Sequence, residues 1–563
     1  MAVNNITTLT SDVTVTTGTG PISFMGAVDG AHNLALNASG AMLISGPTGR
    51  NTALTSLTMG TGPISLGGDV VTTGAQYYGA AVQLLGPLIM DAGAANVTFV
   101  STVQSSATPV NFNSLTVTTS GVATFNGTVN LGGELLRQRT GSTIINASVT
   151  TATNQDYAGV VTLNASALTA TSGYVQMRGA LTLGGDTTLT SGGVQSYQAI
   201  DGAHNLVLSG SQVALNGAVG STTALASLVM HAPLIQLNSN IATANGAVTI
   251  NGAAVLGAAV AIGSGTGAVS FTGTVDGAFN LALTNSGGTT FGGAVGATTR
   301  LTALTTGGGL TTLDGGLSVN GNILVNGATA LGANVAVKNA TGTLVFTGAV
   351  DGGHNLAISA NLGTTFGGAV GATTALTSVV LASSATLSGN VTTTGPQVYG
   401  GAVTLLGNST VRTGNAAASF MSTVDTAAGA LVPAGLTVTT GTAKQTYGGA
   451  LGAIRALGAV VLSSSNGAGF SLANTANNIA SVNVSAGGAV TVADSGPLTI
   501  IGINTTGDIL VTPQTGNLTI TGVITSTSTT ATALVLQAGK SASRVASPGA
   551  SDTSGNVVFN AAA

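Results

Sequence analysis

The sequence predicts an all-β chain folded as an elongated parallel β-helix, that is, a β-solenoid. Three observations lead to this fold class. The composition is poor in charge but rich in small aliphatic residues, strand-length apolar segments lie between glycine turns, and motifs recur about every 75 residues.

The composition shows that the chain can bury a core, and it limits what that core contains. Charged residues make up 5% of the 563 positions, against roughly 25% in ordinary soluble domains. Disordered chains combine low hydrophobicity with high charge, whereas here 44% of residues are hydrophobic and the mean hydropathy is +0.51. Because aromatic residues make up only 3%, the core must consist mainly of Val, Leu, Ile and Ala.

Charge and cysteine content exclude several classes of function. The 11 Lys and Arg residues form no basic run, so we expect no nucleic-acid partner. The chain has no cysteine and therefore no disulfide or thiolate metal site. The longest apolar run, 253–263, is shorter than the roughly 20 residues of a membrane-spanning helix. The first twelve residues do not resemble a secretion signal, which suggests a fragment or a different export route.

The clearest internal repeat contains an Asp-Gly turn followed by an Asn-Leu strand. Successive Asp markers are 75, 97, 75, 75 and 74 residues apart, and because 97 exceeds 75 by 22 we expect one extra coil in the second interval. The markers are Asp29, Gln104 (in the equivalent place), Asp201, Asp276, Asp351 and Asp425. The clear copies are GTGPISFMGAVDGAHNLAL (18–36), TSGGVQSYQAIDGAHNLVL (190–208), GTGAVSFTGTVDGAFNLAL (265–283) and ATGTLVFTGAVDGGHNLAI (340–358).

Two further motifs accompany this repeat. A segment of the type FGGAVGATTALTSV runs in phase with the Asp-Gly repeat, with copies at 44–57, 215–228, 291–304 and 366–379. A third motif, of the type NVTTTGPQVYGGAVTLLG, is less regularly spaced, with copies at 69–86, 148–164 and 390–407.

The segments within each module are predicted to be short strands. They alternate with period two, are rich in Val, Leu, Ile and Thr, and are separated by Gly, Asn and Asp-Gly turns. We expect three or four coils of roughly 19–25 residues per module and roughly 23–30 coils in the chain. The side chains predicted inside include five phenylalanines: Phe24, Phe99, Phe271, Phe346 and Phe420.

The module phase is lost near the C-terminus. We therefore divide the sequence into regular solenoid modules over residues 1–470 and a degenerate solenoid continuation over 471–563. The last residues read as part of another coil, which suggests a piece of a longer protein.

Motifs such as GAVDGAHNLAL and TGNLTITGVI resemble the β-strand-repeat regions of filamentous-haemagglutinin-like and autotransporter-type bacterial surface proteins. The resemblance covers residues 10–560 and concerns style more than identity. It implies a right-handed parallel β-helix at the cell surface or in the medium, acting in adhesion or as a stalk. Neither a two-partner secretion domain nor an outer-membrane barrel is recognised, and no functional residue carries over.

The repeated Asp-Gly pairs are interpreted as structural turns. The pairs are Asp29–Gly30, Asp201–Gly202, Asp276–Gly277 and Asp351–Gly352. We expect each Asp to cap its own turn and each Gly to take positive φ. If the markers share one corner three or four coils apart, they lie about 14–19 Å from one another, too far for the carboxylate pair of a glycosidase. No catalytic residue is predicted.

Other polar residues yield no cofactor or metal site. His32, His204 and His354 follow the Asp-Gly pair, but Phe279 replaces the histidine in one copy, so an exposed corner ring is expected. Arg137–Arg139, near Glu134, is expected to be a solvated loop. The Thr-rich segments 14–17, 116–119 and 437–440 leave open flat Thr rows of the ice-binding type, although Thr is also the usual outward strand residue.

The function predicted from sequence is a non-catalytic, extracellular structural or adhesive rod of a bacterial surface protein. Its partners would be glycans or proteins of a host or neighbouring cell. The first alternative is a self-assembling filament or sheath subunit whose partner is another copy of the chain, because charge that guards strand edges is scarce. A lesser alternative is a β-helix enzyme acting on polysaccharide, which rests on fold analogy.

Overall fold

The computed structural model describes residues 1–106, 113–137, 141–164, 167–465, 467–530 and 533–538, together with the backbone of strand Val557–Phe559. Every regular secondary-structure element among these residues is a β-strand, and the paired strands run parallel to one another. They form a β-solenoid of about 25 turns, which confirms the predicted fold class and lies within the predicted number of coils.

The chain divides into two compact units. One contains residues 1–279 and 283–287, and the other contains residues 280–282 and 288–563. The sequence-based division at residue 471 stays a prediction.

In the first unit, each turn contributes one strand to each of three stacks of parallel strands. The first stack contains Ala2–Val3, Ile22–Phe24, Met42–Ile44, Ile64–Leu66, Val82–Leu84, Val103–Ser105, Val129–Leu131, Val149–Thr151, Ala167–Ala170, Thr187–Ser191, Asn205–Ser209 and Val269–Phe271. The second contains Thr7–Thr8, Val28–Asp29, Val70–Val71, Leu88–Gly93, Leu115–Thr119, Leu135–Arg137, Gln155–Tyr157, Val175–Met177, Val194–Tyr197, Gln212–Leu215 and Val275–Asp276. The third contains Val13–Gly18, Asn33–Ala38, Ser56–Met59, Gln76–Tyr78, Val97–Phe99, Ala123–Phe125, Thr143–Ile145, Val161–Leu163, Leu181–Leu183, Ile200–Asp201, Ile241–Ala242 and Val260–Gly263. Ser227–Leu237 and Val248–Leu256 each run through the first and second stacks.

The second unit repeats this arrangement up to residue 451. Its first stack contains Thr289–Phe291, Thr311–Leu313, Thr329–Leu331, Val350–Asp351, Val391–Thr392, Ser409–Arg412 and Leu436–Thr440. Its second contains Leu317–Val319, Val335–Asn339, Asn355–Ala360, Ser378–Leu381, Gln397–Tyr399, Ala418–Phe420 and Gln445–Tyr447. Its third contains Asn280–Leu283 (at the unit boundary), Ala303–Thr305, Ile323–Val325, Leu344–Phe346, Thr364–Phe366, Ala385–Leu387, Val403–Leu405 and Val424–Thr426.

After residue 451 the turns of the second unit change shape. Long strands of eight residues replace two short strands and the corner between them: Leu457–Ser464, Ile479–Ala486 and Leu498–Thr505. Leu518–Ile520 and Ile524–Ser526 both pair with the last of these, and Val557–Phe559 pairs with Leu518–Ile520. A separate four-stranded sheet contains Phe470–Leu472, Val490–Asp494, Ile509–Pro513 and Leu534–Leu536.

The alternation of side chains explains why these short segments form strands. In strands such as Ile22–Phe24 the outer two residues are buried and the middle one faces outward. The five predicted phenylalanines are all buried, as expected. Aromatic rings stack directly between turns: Tyr78 on Phe99 at 5.0 Å between ring centroids, and Phe99 on Phe125 at 5.1 Å. Each turn thus buries a face that one short strand could not bury alone.

The repeated corner moves from stack to stack, because the module is not a whole number of turns. In the first unit Asp29 lies in the second stack, Gln104 in the first, Asp201 in the third and Asp276 in the second again. Ten strands and the isolated bridge position at Thr48 lead from Asp29 to Gln104, which makes three turns of three positions and two further positions. Fourteen lead from Gln104 to Asp201, so the longer interval does contain one extra turn.

The assumption that all markers share one corner is therefore wrong. About 75 residues, at about 20 residues per turn, amount to about three turns and two thirds, so each module begins two faces further on, which is one face back. In the second unit, too, Asp351 lies in the first stack and Asp425 in the third.

Candidate functional site

The carboxylates of the Asp-Gly corners at Asp29, Asp201 and Asp351 bind the backbone of the next turn. Asp29 Oδ1 accepts the N–H groups of Asn51 at 2.9 Å and Thr52 at 3.2 Å, and Asp29 Oδ2 accepts the Asn51 side-chain amide at 3.0 Å. The prediction that Asp caps its own turn is wrong, since its partners are more than twenty residues further along the chain. The equivalent pairs of N–H donors are Thr222 and Thr223 for Asp201, Thr373 and Thr374 for Asp351, and Ile454 and Arg455 for Asp425.

This contact explains why the first two sequence motifs are in phase. The donors for Asp29 belong to the copy of the FGGAVGATTALTSV-type motif at 44–57. That segment forms the corner one turn after Asp29. The two motifs are therefore the two halves of one hydrogen-bonded corner.

Glycine follows the aspartate because two requirements coincide there. Gly30 has φ of 129°, a region that is essentially restricted to glycine. A Cβ at this position would lie 2.4 Å from the carbonyl oxygen of Leu9 in the preceding turn. Gly202, Gly277 and Gly352 have φ values of 131°, 132° and 128° and the same close approach to a leucine carbonyl.

The asparagine of the repeat forms a second link between turns. Asn33 donates its N–H and its side-chain amide to the Asp12 carboxylate at 2.9 and 2.8 Å, and its Oδ1 accepts the Ser56 hydroxyl at 2.6 Å. These bonds lower the pKa of Asp12. The same chain of contacts joins Asp186, Asn205 and Ser227.

The histidine of the repeat contributes little to this link. His32 is half-buried, and its Nδ1 lies 3.6 Å from Asp12 Oδ1, whereas its backbone N–H donates to Gly30 O at 2.8 Å. Phe279 makes the same backbone bond to Gly277 at 2.8 Å. The turn therefore does not require a histidine ring at this position.

The third sequence motif contains a buried polar unit that sequence reasoning missed. Gln76 Nε2 donates to the carbonyl of Asp91 in the next turn at 2.9 Å, and the Tyr78 hydroxyl donates to Gln76 Oε1 at 3.0 Å. Burial raises the pKa of Tyr78. The same pair recurs as Gln155 with Tyr157, Gln397 with Tyr399 and Gln445 with Tyr447. Its signal was the Gln-x-Tyr spacing in a strand whose alternate residues face inward.

Arg137 is buried, so its prediction as a solvated residue is wrong, while Arg139 lies outside the described residues. The Arg137 guanidinium donates to the carbonyl of Val117 at 2.7 Å and to the Thr143 hydroxyl at 3.0 Å. Burial lowers the pKa of Arg137 to about 10, although the neighbouring Tyr157 acts in the opposite direction.

The Thr-rich segments 14–17 and 116–119 do not build rows of threonine. Thr116 lies opposite Ile89 on one side and Leu136 on the other, and Thr14 lies opposite Ala35. A flat Thr array of the ice-binding type is therefore absent at these two segments.

Two concave surfaces of the first unit lie beside charged side chains. The first, called the Tyr174 groove, has a volume of about 430 Å³ and is lined by Asn154, Ser172, Gly173, Tyr174, Gln176, Gly193, Val194 and Ser196. A second depression of about 400 Å³ is lined by Leu136, Arg137, Asp156, Ala158 and Arg178. Arg178 forms a two-point ion pair with Asp156, with N–O distances of 2.8 and 2.6 Å. Burial raises the pKa of Tyr174, and the Asp156 and Glu134 carboxylates raise it further.

Among the described residues, no group of three or more His, Asp or Glu side chains could hold a metal ion. The part of the chain that the structure describes has no helix long and apolar enough to span a membrane. Comparison of the chain with known protein families, curated proteins and solved structures finds no significant match.

Proposed function

We propose that the chain is an extracellular structural and adhesive segment of a bacterial surface protein. The single observation that carries the structural part is the use of the polar side chains at the corners. Carboxylates such as Asp29 and Asp201, which an enzyme would direct at a substrate, accept backbone N–H groups of the following turn. They link successive turns to one another.

Two further features support a structural role. Aromatic rings in the interior stack from one turn to the next. Tyr399 stacks on Phe420 and Phe420 on Tyr447, at 4.8 and 5.6 Å between ring centroids. The resemblance of the repeats to filamentous-haemagglutinin-like proteins favours a location at the cell surface and a role in adhesion.

The proposal is tested with the full chain coupled to beads. We expect the beads to be retained on surfaces coated with cell-surface glycans, and we expect no release of reducing sugar from a panel of soluble polysaccharides. Release of products would contradict the non-catalytic proposal and favour the enzyme alternative.

Self-assembly is a second candidate, and a particular surface favours it. The outward positions of the first stack in the first unit form a row with no Lys, Arg, Asp or Glu: Gln83, Gln104, Asn130, Thr150, Thr169, Thr190, Ser209, His231 and Asn251. Such a row presents no charge repulsion between two copies. Electron microscopy at rising protein concentration separates the candidates: fibres or sheets favour assembly, and separate particles at every concentration contradict it.

A further inference from the structure

The Tyr174 groove lies beside a row of three polar side chains. Asp156, Gln176 and Ser196 occupy successive outward positions of the second stack in the first unit. Strands of neighbouring turns are about 4.8 Å apart, so the three side chains are spaced evenly along the stack. This spacing is close to the length of one pyranose unit in a linear oligosaccharide.

The aromatic ring of the groove is held at the edge of this row. The Tyr174 N–H donates to Asn154 Oδ1 at 3.2 Å, and the Asn154 side-chain amide donates to Glu134 Oε2 at 3.2 Å. These contacts fix the backbone of Tyr174 and the orientation of the Asn154 side-chain amide. The half-buried ring of Tyr174 lies beside Gln176 in the groove. An aromatic ring offers the apolar face on which the C–H face of a sugar stacks.

Hydrogen-bonding groups remain available along the row. Within the described part of the chain the Gln176 amide has no hydrogen-bond partner. The Ser196 hydroxyl accepts the Asn216 amide at 3.0 Å and can still donate. Asp156 is oriented by its two-point contact with Arg178. The volume of the groove, about 430 Å³, lies within the range of small-ligand sites.

We propose that the Tyr174 groove binds a linear oligosaccharide, with one sugar stacked on Tyr174 and successive sugars hydrogen-bonded to Asp156, Gln176 and Ser196. The inference rests on the proposed adhesive function and names the ligand class and the residues. Both carboxylates near Tyr174 have structural partners, Asp156 in Arg178 and Glu134 in Asn154. The site therefore binds sugar without cleaving it.

The test mixes the full chain with soluble trisaccharides of glucose, galactose, mannose or N-acetylglucosamine. Titration calorimetry and saturation-transfer NMR measure the binding of each trisaccharide. At least one of the four trisaccharides should bind, and its affinity should exceed that of the corresponding disaccharide and monosaccharide. Tyr174→Ala should weaken binding about tenfold or more, because it removes the stacking face. Gln176→Ala should weaken binding by a smaller factor.

Tyr77→Ala is the matched control, since Tyr77 is an outward tyrosine of the third stack between Thr58 and Thr98, away from the groove. It should bind like the unmodified chain, and all variants should keep their circular dichroism spectra. The inference is overturned if no trisaccharide binds at millimolar concentration, if the two tyrosine variants behave alike, or if the trisaccharide is hydrolysed. The structural part of the proposed function is judged separately, by amide exchange at the corners.

Discussion

The corner at Asp29 in the first unit and the corner at Asp494 in the second unit use a carboxylate for the same task in different surroundings. Asp29 accepts two backbone N–H groups and a side-chain amide and keeps a small exposed edge. Asp494 accepts the N–H groups of Ile479 and Gly496, each at 2.9 Å, and is completely buried.

This difference reverses the direction of the pKa shift. Burial raises the pKa of Asp29, but the N–H groups of Asn51 and Thr52 and the Asn51 amide outweigh it, so the pKa is lowered. Burial raises the pKa of Asp494 to about 6, because its two backbone bonds do not compensate for the lost water. Two N–H donors therefore do not offset the burial of the Asp494 carboxylate, whereas the donors around Asp29 outweigh its burial.

The largest expected effect concerns the glycine of an Asp29-type corner. Gly352→Ala places a Cβ 2.4 Å from Leu331 O at a φ of 128°, so we expect a local loss of about 2–4 kcal/mol. Amide hydrogen exchange of residues 350–376 measures it. Gly353→Ala is the matched control, because no atom lies within 4 Å of that Cβ and its φ is not positive. Equal protection in the two variants would show that the corner tolerates a side chain.

The next effect is the pH dependence at Asp494. Its folded pKa of about 6 lies above the unfolded value of 3.8, so the folded state binds more protons between these values. The contribution of Asp494 to the stability of the surrounding turns is therefore largest below about pH 4 and falls by about 3 kcal/mol as the pH rises through 6. Amide exchange of residues 479–505, corrected for its intrinsic pH dependence, should show this fall. Asp494→Asn should abolish it, and a fall that persists in the variant would assign it to another group.

A smaller effect of opposite sign is expected at Asp29. Asp29→Ala leaves the N–H groups of Asn51 and Thr52 without their acceptor and should cost about 1–3 kcal/mol at pH 7. Because the folded pKa is lowered, this contribution is present above pH 3.8 and is lost as the pH falls through the folded pKa. Exchange of these two amides measures the loss. Asp29→Asn, which keeps one acceptor oxygen, should restore part of the protection, and unchanged exchange in Asp29→Ala would refute the capping role.

The smallest effect is expected from the ring beside the corner. His32→Phe reproduces the residue found naturally at Phe279, whose backbone makes the same 2.8 Å bond to the preceding glycine. The exposed contact between His32 and Asp12 is worth little, so stability should change by less than about 0.5 kcal/mol. Urea unfolding checks this, and a larger change would give the histidine a role beyond the turn.

Much of the fold could be predicted because its signals are local and repeated. Alternation in segments such as Ile22–Phe24 indicated which side chains point inward, and glycine marked the positions of positive φ. The extra turn before Asp201 was predicted from spacing alone, because an insertion of one turn keeps the register of every stack.

The candidate site could be predicted much less well. The Tyr174 groove joins residues from three successive turns. Its central residues, Tyr174 and Gln176, belong to none of the repeated motifs. Arg137 was assigned to solvent because basic residues usually lie there, whereas its position opposite Tyr157 in the stack places it inside.

The sequence by itself determined the β-solenoid, the length of its module and the inward faces of its strands, because these depend on side-chain alternation and turn residues along the chain. Only the tertiary structure decided which turns meet. Partners such as Asp29 and Asn51 are set by the number of residues in a turn, and a module of three turns and two thirds carries successive corners to different faces. Burial and the neighbouring donors decided the rest. Asp29 and Asp494 each accept two backbone N–H groups, but Asp494 is completely buried and lacks the side-chain amide that Asn51 donates to Asp29, so their pKa values shift in opposite directions.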